Sequence, residues 1–348
     1  MEVLKVALIT ILVFGVLIFV HEFGHFFAAR IFKVKVNEFA VGMGPKIFSF
    51  TGKKSGTRYS LRALPIGGYN SIEGEDGDSE EEDAFCKKPV WQRMIIIVAG
   101  AFMNLLLGII IMSVVVIRTE QYASTVIHSF VTDEEGVYAE EYQGLRAGDE
   151  VIKVNGKRVR IGDELVYRIF ADGYEPIDLT VIRDGQKIVI EDVQFPTSEE
   201  QGVFFGVRNF YVYAEQKNFV NTVKQAFFGS INSMAQVIDS LLGLAGGKYG
   251  LESVSGPIGV GEVIGEAAGI GIDALLTMTV LLTMNLGIFN LLPFPALDGG
   301  RLVFLAIEAI RRKPLPKNVE AAVNAVGMLL LLGLVFVVAI KDVFTVIK

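Results

Sequence analysis

His21, Glu22 and His25 form a His-Glu-x-x-His pattern. Residues four apart on a helix share a face, so the two imidazoles point the same way and can hold one zinc ion. Glu22 is then placed to take a proton from a water activated by that ion. The stretch from Val6 to Val20 leading into the pattern carries no charge, and ionisable groups in so apolar a segment are costly and usually functional. The chain has 3 His, and two of them are here. A catalytic zinc takes three protein ligands and keeps one position open for water, so a third donor must come from elsewhere. Asp298 is the candidate, within Asn290-Leu291-Leu292-Pro293-Phe294-Pro295-Ala296-Leu297-Asp298-Gly299-Gly300. Pro293 and Pro295 break a helix there and free backbone groups that need a polar, buried place. Gly299 and Gly300 permit close backbone approach. The plainer alternative makes His21 and Glu22 a polar cap on an apolar helix and the Pro-Gly run a stop signal.

The elements that must position these residues are apolar. The 348 residues are 51% hydrophobic with mean hydropathy +0.47, too apolar for an ordinary soluble chain. Four segments approach the roughly 20 residues a bilayer span needs: 3–29, 94–117, 275–292 and 321–340. Arg and Lys crowd the loops after the first and third spans, including Arg30, Lys33, Lys35, Lys53, Lys54, Arg93, Arg301, Arg311, Arg312 and Lys313. Both loops therefore read as cytoplasmic, with both termini and the central loop outside. The first span lacks a strong basic start and a small-residue cleavage site, so it is expected to stay on the protein. Net charge of −7 gives no reason to expect nucleic acid as a partner. Cys86 is the one cysteine, which excludes an intrachain disulfide and a Cys-based zinc site.

Between the first two spans, 34–36, 47–50 and 59–64 read as short strands of a small sheet at the membrane face. The acidic run from Glu73 to Asp83 reads as solvated, mobile surface. The central loop carries Gly144-Leu145-Arg146-Ala147-Gly148-Asp149-Glu150-Val151-Ile152-Lys153-Val154-Asn155-Gly156. A helix is expected near 163–170, and strands at 177–182 and 187–190 joined at Asp184-Gly185. This part resembles the PDZ domains of bacterial membrane proteases, which bind an extended chain end by adding a strand to a sheet edge. His128, in its first part, is given no role. Residues 219–244 have apolar positions at helical spacing and suit a membrane surface. The Ser255-Gly256-Pro257-Ile258-Gly259 run reads as a chain break.

His-Glu-Phe-Gly-His, Gly42-Met43-Gly44-Pro45, Lys88-Pro89-Val90-Trp91-Gln92-Arg93, the PDZ-like insert and Asn-Leu-Leu-Pro-x-Pro-x-Leu-Asp-Gly-Gly together resemble the RseP-type site-2 proteases of bacteria. The resemblance covers nearly the whole chain. It implies a membrane-embedded zinc metalloprotease of regulated intramembrane proteolysis, with His21, His25 and Asp298 on zinc and Glu22 as the base. It implies that the sheet after the first helix holds a substrate strand, and that Asn290, Pro293, Pro295 and Tyr69 contact substrate. The implied substrates are transmembrane segments of single-span proteins, such as anti-sigma factors or remnant signal peptides. Arg301 stands where many members have His, and Ala101 departs from a Gly-Pro found before the second span's Asn104.

The expected fold is an α-helical polytopic membrane protein of about four transmembrane helices, with a small membrane-associated β-sheet and one extracytoplasmic PDZ-like α+β domain. The expected segments are 1–30, the first span with the zinc pattern; 31–92, the cytoplasmic-side β region and acidic loop; 93–118, the second span; and 119–210, the PDZ domain. They continue as 211–270, an amphipathic or interfacial segment; 271–300, the third span with the Asp motif; 301–320, a cytoplasmic loop; and 321–348, the fourth span. The expected setting is the bacterial cytoplasmic membrane, with lipid and transmembrane proteins as partners and the PDZ domain binding chain ends or gating substrates. Two rivals remain: a non-catalytic PDZ scaffold with a structural or vestigial zinc site, and a transporter, which no internal repeat supports.

Overall fold

Helices that are apolar on every face cannot leave that surface in water, and four of them here have the length to cross a bilayer. In the computed structural model, which describes residues 2–75, 77–131, 138–200, 203–250 and 253–347, these are Val3–Ile31, Val90–Arg118, Ile272–Asn290 and Asn318–Phe344. The chain divides into two compact units, Met1–Ile111 with Val254–Lys348, and Met112–Ser253.

The first unit begins with α1 (Glu2–Ile31), a hairpin of β1 (Val36–Thr51) and β2 (Arg58–Ile72), and the long apolar α2 (Val90–Arg118). The hairpin is longer than the short strands read from sequence, and it folds back on itself. Residues 36–41 of β1 pair on one side with 68–72, as in Ala40 with Tyr69, and on the other with 58–61, as in Ala40 with Ser60. Residues 58–61 pair again with Phe48–Thr51. The segment 68–72 therefore has one paired side and, among the described residues, one open edge. Phe26 of α1 packs on Phe39 and Tyr59, fixing the hairpin against the helix. Met43, Ile47, Phe48, Phe50, Leu61 and Leu64 are exposed. An apolar patch of this kind on a soluble loop would be a liability, so the hairpin suits immersion in lipid. Burial opposes ionisation of Glu38, but hydrogen bonds from Lys46, Ser60 and Arg62 hold it down to about 2. Its contribution is present above the usual glutamate range and is lost only as pH falls toward 2, so the hairpin gains no pH sensitivity near neutrality.

The acidic run keeps Asp78, Glu80, Glu81 and Glu82 exposed, as expected of solvated surface, but three of its acids have partners. Glu73 accepts hydrogen bonds from Asn37 and Ser79, Glu81 pairs with Lys35, and Glu75 pairs with Arg301. Charge density alone could not reveal Asn37 of β1, Lys35 just before it, or Arg301, which lies far along the chain. Asp76 of that run lies outside the described residues.

The second half of this unit holds α5 (Pro257–Ile270), α6 (Ile272–Asn290), α7 (Asp298–Arg311) and α8 (Lys317–Ile347). Two corrections to the sequence reading arise here. The Gly256-Pro257 run does not break the chain but starts α5, with Pro257 in the first turn, where its missing N–H costs nothing. Asp342 of α8, 4% exposed, caps that helix by accepting from the N–H groups of Gly256 and Gly259. Likewise, Asp298 does not end the third span, and 301–320 is not all loop: α6 stops at Asn290 and Asp298 opens a separate helix.

The second unit, after the end of α2, carries β3 (Tyr122–Val131), β4 (Tyr138–Ala139), β5 (Glu141–Tyr142), β6 (Leu145–Arg146), β7 (Glu150–Val154), β8 (Lys157–Arg158), α3 (Gly162–Asp172), β9 (Ile177–Arg183), β10 (Gln186–Val193), β11 (Thr197–Glu200), β12 (Val203–Gly206), β13 (Phe210–Glu215) and α4 (Phe219–Ala245). The main sheet runs β10-β9-β7-β3-β13. Its core includes Ile127, Phe130, Val151, Leu165, Ile169 and Leu179. Asn155 and Gly156 both have positive φ, the tight hairpin turn their types favour, and Asp184-Gly185 repeats it between β9 and β10. Asp149, fully buried, accepts from the Arg146 N–H and from two Arg183 nitrogens at 2.7 and 2.8 Å. Removing this buried carboxylate leaves the Arg146 N–H and the Arg183 guanidinium without their acceptor, so Asp149→Ala is expected to destabilise this unit by about 1–3 kcal/mol; limited proteolysis of the whole chain checks it. The segment 211–270 holds the end of β13, then α4, which matches the helical spacing read over 219–244, and then α5. His128 hydrogen-bonds Ser129 and meets the Tyr213 ring edge to face, both within this unit.

Candidate metal and catalytic site

The crossing of α1 and α2 places the two histidines. A Cβ on Gly24 would lie 2.2 Å from the Ala99 carbonyl oxygen, and a Cβ on Gly100 would lie 2.2 Å from His25 Nε2 and 2.9 Å from His21 Cε1. Only glycine at both positions lets the helices meet so closely, with both rings packed on the α2 backbone. Asp298 arrives from α7. Side chains on Gly299 and Gly300 would come within 2.0 Å of the Leu292 oxygen and 2.4 Å of the Phe294 oxygen, so the first turn of α7 folds hard against the preceding Pro-containing turn. Ala296 in that turn holds φ +70°, with its N–H donated to Asn324 of α8. Arg93 at the start of α2 grips Glu308 of α7 with two nitrogens.

The result is a small triangle of donor atoms. His21 Nε2 and His25 Nε2 are 3.2 Å apart, and they lie 3.2 and 3.3 Å from Asp298 Oδ2. Ligands in a tetrahedral site with bonds of roughly 2.0 Å stand about 3.3 Å apart. Asp298 Oδ2 is buried and meets no hydrogen bond. His25 donates its Nδ1–H to the Ile96 carbonyl at 2.9 Å, which leaves the Nε2 lone pair facing the triangle. Three lone-pair atoms held so close would repel one another without a cation, so the donor set fits a zinc ion. His21, His25 and Asp298 also form the one group of potential metal-binding residues found among the described residues.

These three residues and Glu22 line one cavity of about 300 Å³ with Gly68, Tyr69, Asn70, Ile72, Glu75, Ala296, Leu297 and Arg301. The Cγ of Glu22 rests where a Gly68 Cβ would be, so the sheet edge and the carboxylate are neighbours. Residues 9–334 match peptidase family M50. The chain belongs to this family of site-2 proteases. Among similar proteins, FN1322 of Fusobacterium nucleatum is 35% identical, with 97% of this chain and 98% of that protein aligned. The zinc metalloprotease RasP of Geobacillus kaustophilus is 30% identical over 98% of each chain. The regulator of sigma-W protease RasP of Bacillus subtilis is 29% identical over 96% of this chain and 97% of that one. This M50 chain is a zinc metalloprotease, and its described residues include four helices able to span a membrane.

Of the residues singled out in sequence, His21, Glu22, His25, Asp298 and Tyr69 line the M50 cavity, whereas Asn290, Pro293 and Pro295 do not. Asn290 ends α6, and Pro295 lies against Gly327 of α8. The sequence reading missed Asn70, Glu75 and Arg301. Arg301 follows Asp298 by one helical turn, and that spacing was the available signal. Asn70 gave none, since a polar residue in a strand is ordinary. Its carboxamide oxygen and nitrogen are both buried without a partner at the cavity edge.

Proposed function

We propose that the chain is an intramembrane protease that hydrolyses peptide bonds in the transmembrane segments of single-span proteins, with His21 Nε2, His25 Nε2 and Asp298 Oδ2 holding zinc. The observation that carries this is the tetrahedral spacing of the three donors beside an open strand edge. Zinc there would supply Lewis acidity, polarising the scissile carbonyl and lowering the pKa of water toward about 7. Glu22 takes a proton from the attacking water and delivers it to the departing amide nitrogen. A substrate helix hides its peptide groups in its own hydrogen bonds, so it must unwind before it can be cut. Residues 68–72 then offer the freed groups a strand to pair with. Tyr69 flanks that strand, and the idle carboxamide of Asn70 offers one donor and one acceptor to a peptide unit. The roles of Asn290, Pro293 and Pro295 narrow to shaping the turn that presents Asp298. The scaffold alternative gives no reason for a carboxylate poised between two ligands.

The test is co-expression with single-span membrane proteins, anti-sigma factors and remnant signal peptides among them. Cleavage products should appear with the intact chain and disappear on zinc chelation. Purified protein should carry about one zinc per chain. Full zinc retained after His21→Ala with His25→Ala would remove these ligands from the site.

The central unit is proposed as an extracytoplasmic PDZ-like domain that gates substrates or binds chain ends, in a protein of the bacterial cytoplasmic membrane with its site toward the cytoplasm. Loop charge supports this orientation. Lys187 is exposed, so Lys187→Cys in a Cys86→Ser background should react with a membrane-impermeant maleimide in intact cells. Reaction only after the membrane is opened would reverse the topology.

A further inference from the structure

His21 and His25 differ in how their far ring nitrogens are held. For His25 the matter is closed, because the Ile96 carbonyl can only accept and Nδ1 must carry the proton. For His21 the neighbour is Asn104, whose carboxamide sits 3.4 Å from His21 Nδ1. Asn104 is fully buried in α2, one turn beyond Gly100 and on the same helix face. Its backbone is clamped from the other side, where the buried Thr283 of α6 donates to the Asn104 carbonyl at 2.9 Å.

As placed, the amide nitrogen of Asn104 faces His21, and its Oδ1 is buried without a partner. Carboxamide nitrogen and oxygen are nearly the same size, and the network decides which is which. An amide N–H pointing at Nδ1 would require Nδ1 to accept, which puts the imidazole proton on Nε2. That proton would then point into the donor triangle, where His25 Nε2 and Asp298 Oδ2 lie 3.2 Å away. A metal ligand cannot keep a proton on its donor atom. Turning the amide over places the oxygen against Nδ1–H, and the Nε2 lone pair becomes free.

We propose that Asn104 is a positioning residue: its carboxamide oxygen accepts the His21 Nδ1–H, fixing the tautomer and the ring plane that aim Nε2 at the metal. A polar side chain in a membrane helix is costly unless it has such a task. The proposal rests on the metal-site reading above.

The experiment uses the full chain purified in detergent and measures zinc affinity by chelator competition for the parent, Asn104→Asp and Asn104→Leu, with kcat and KM on one cleavable substrate. Asp keeps an acceptor oxygen in the same place, while Leu keeps the volume and removes it. Loss of an outer-shell partner typically weakens metal binding about 10–100-fold. Asn104→Leu should show that loss, with kcat recovering in excess zinc and KM unchanged, and Asn104→Asp should stay within a few-fold of the parent. Equal loss in both variants, or parent-like affinity in the Leu variant, overturns the proposal. A second measurement needs no variant. Nitrogen-15 labelling of the chain's 3 histidines reports the tautomer of each ring in the metal-free protein. A proton on Nε2 of His21 overturns the proposal even if Asn104→Leu fails to fold. A parent that binds no zinc removes the metal site itself, which the competition assay shows before any variant is made.

Discussion

Glu22→Gln should leave a folded protein that binds zinc and barely cuts its substrate. Glutamine has nearly the shape of glutamate, and the neighbouring sheet edge at Gly68 packs against Cγ, which the two residues share. Neither the helix crossing nor the donor triangle depends on the carboxylate charge, because none of the three donor atoms comes from Glu22. What changes is proton transfer: a carboxamide cannot accept a proton near neutral pH. A lost general base typically costs about 10²- to 10⁴-fold in rate. Zinc content and cleavage measured on one preparation should therefore separate, with metal near the parent level and the substrate accumulating uncut. A scaffold would give the opposite result, with partner binding and phenotype unchanged by the substitution. Normal cleavage by the variant would remove Glu22 from the chemistry.

Gly100→Ala should abolish metal binding even though it is among the mildest substitutions available. By helix propensity alone it would stabilise α2 by about 1 kcal/mol. The structure reverses that sign at this position. The added methyl would sit 2.2 Å from His25 Nε2 and 2.6 Å from its Cε1, on the edge of the ring that faces the donor triangle. His25 cannot simply turn away, because Nδ1 is tied to the Ile96 carbonyl on the same helix. Either the ring leaves its place or α1 and α2 separate, and Gly24 shows how little room there is, since a Cβ there would meet the Ala99 carbonyl oxygen at 2.2 Å. A ligand displaced outright should cost more than the roughly 100-fold upper range seen for outer-shell partners. Chelator competition and cleavage should fail together, while the variant still inserts in the membrane. As a control, Gly269→Ala on α5, where a Cβ meets nothing within 4 Å, should be silent. Parent-like zinc affinity in Gly100→Ala would show that the helix crossing is looser than described.

The parts of this molecule legible in sequence were those written in periodicity or in side-chain chemistry. Long apolar runs gave the helices able to span a membrane, and the four-residue spacing put His21 and His25 on one helix face. The Asn-Gly and Asp-Gly pairs gave two hairpin turns. Features set by contacts between distant segments were not legible. Pro257 looked like a break because the residue that caps its helix, Asp342, lies on another helix. Glu75 looked like solvated charge because its partner, Arg301, is on α7. The hairpin read as short strands because its bends at Gly42, Gly44 and Gly67 interrupt the alternation and shift the register, while pairing resumes on either side of them. Asn104 had one available sign, a lone amide within an apolar helix, but its partner could not be named from sequence.

The donors to the proposed metal come from opposite ends of the chain, His21 and His25 on α1 and Asp298 on α7. Synthesis runs at about 5–20 residues per second, so Asp298 leaves the ribosome roughly 15–55 s after His21. Throughout that interval α1 can lie in the bilayer with its two imidazoles and Glu22 beside other newly inserted helices, yet the set is one donor short. If these three residues hold the metal, the donor set is complete only once α7 has been made, close to the end of synthesis.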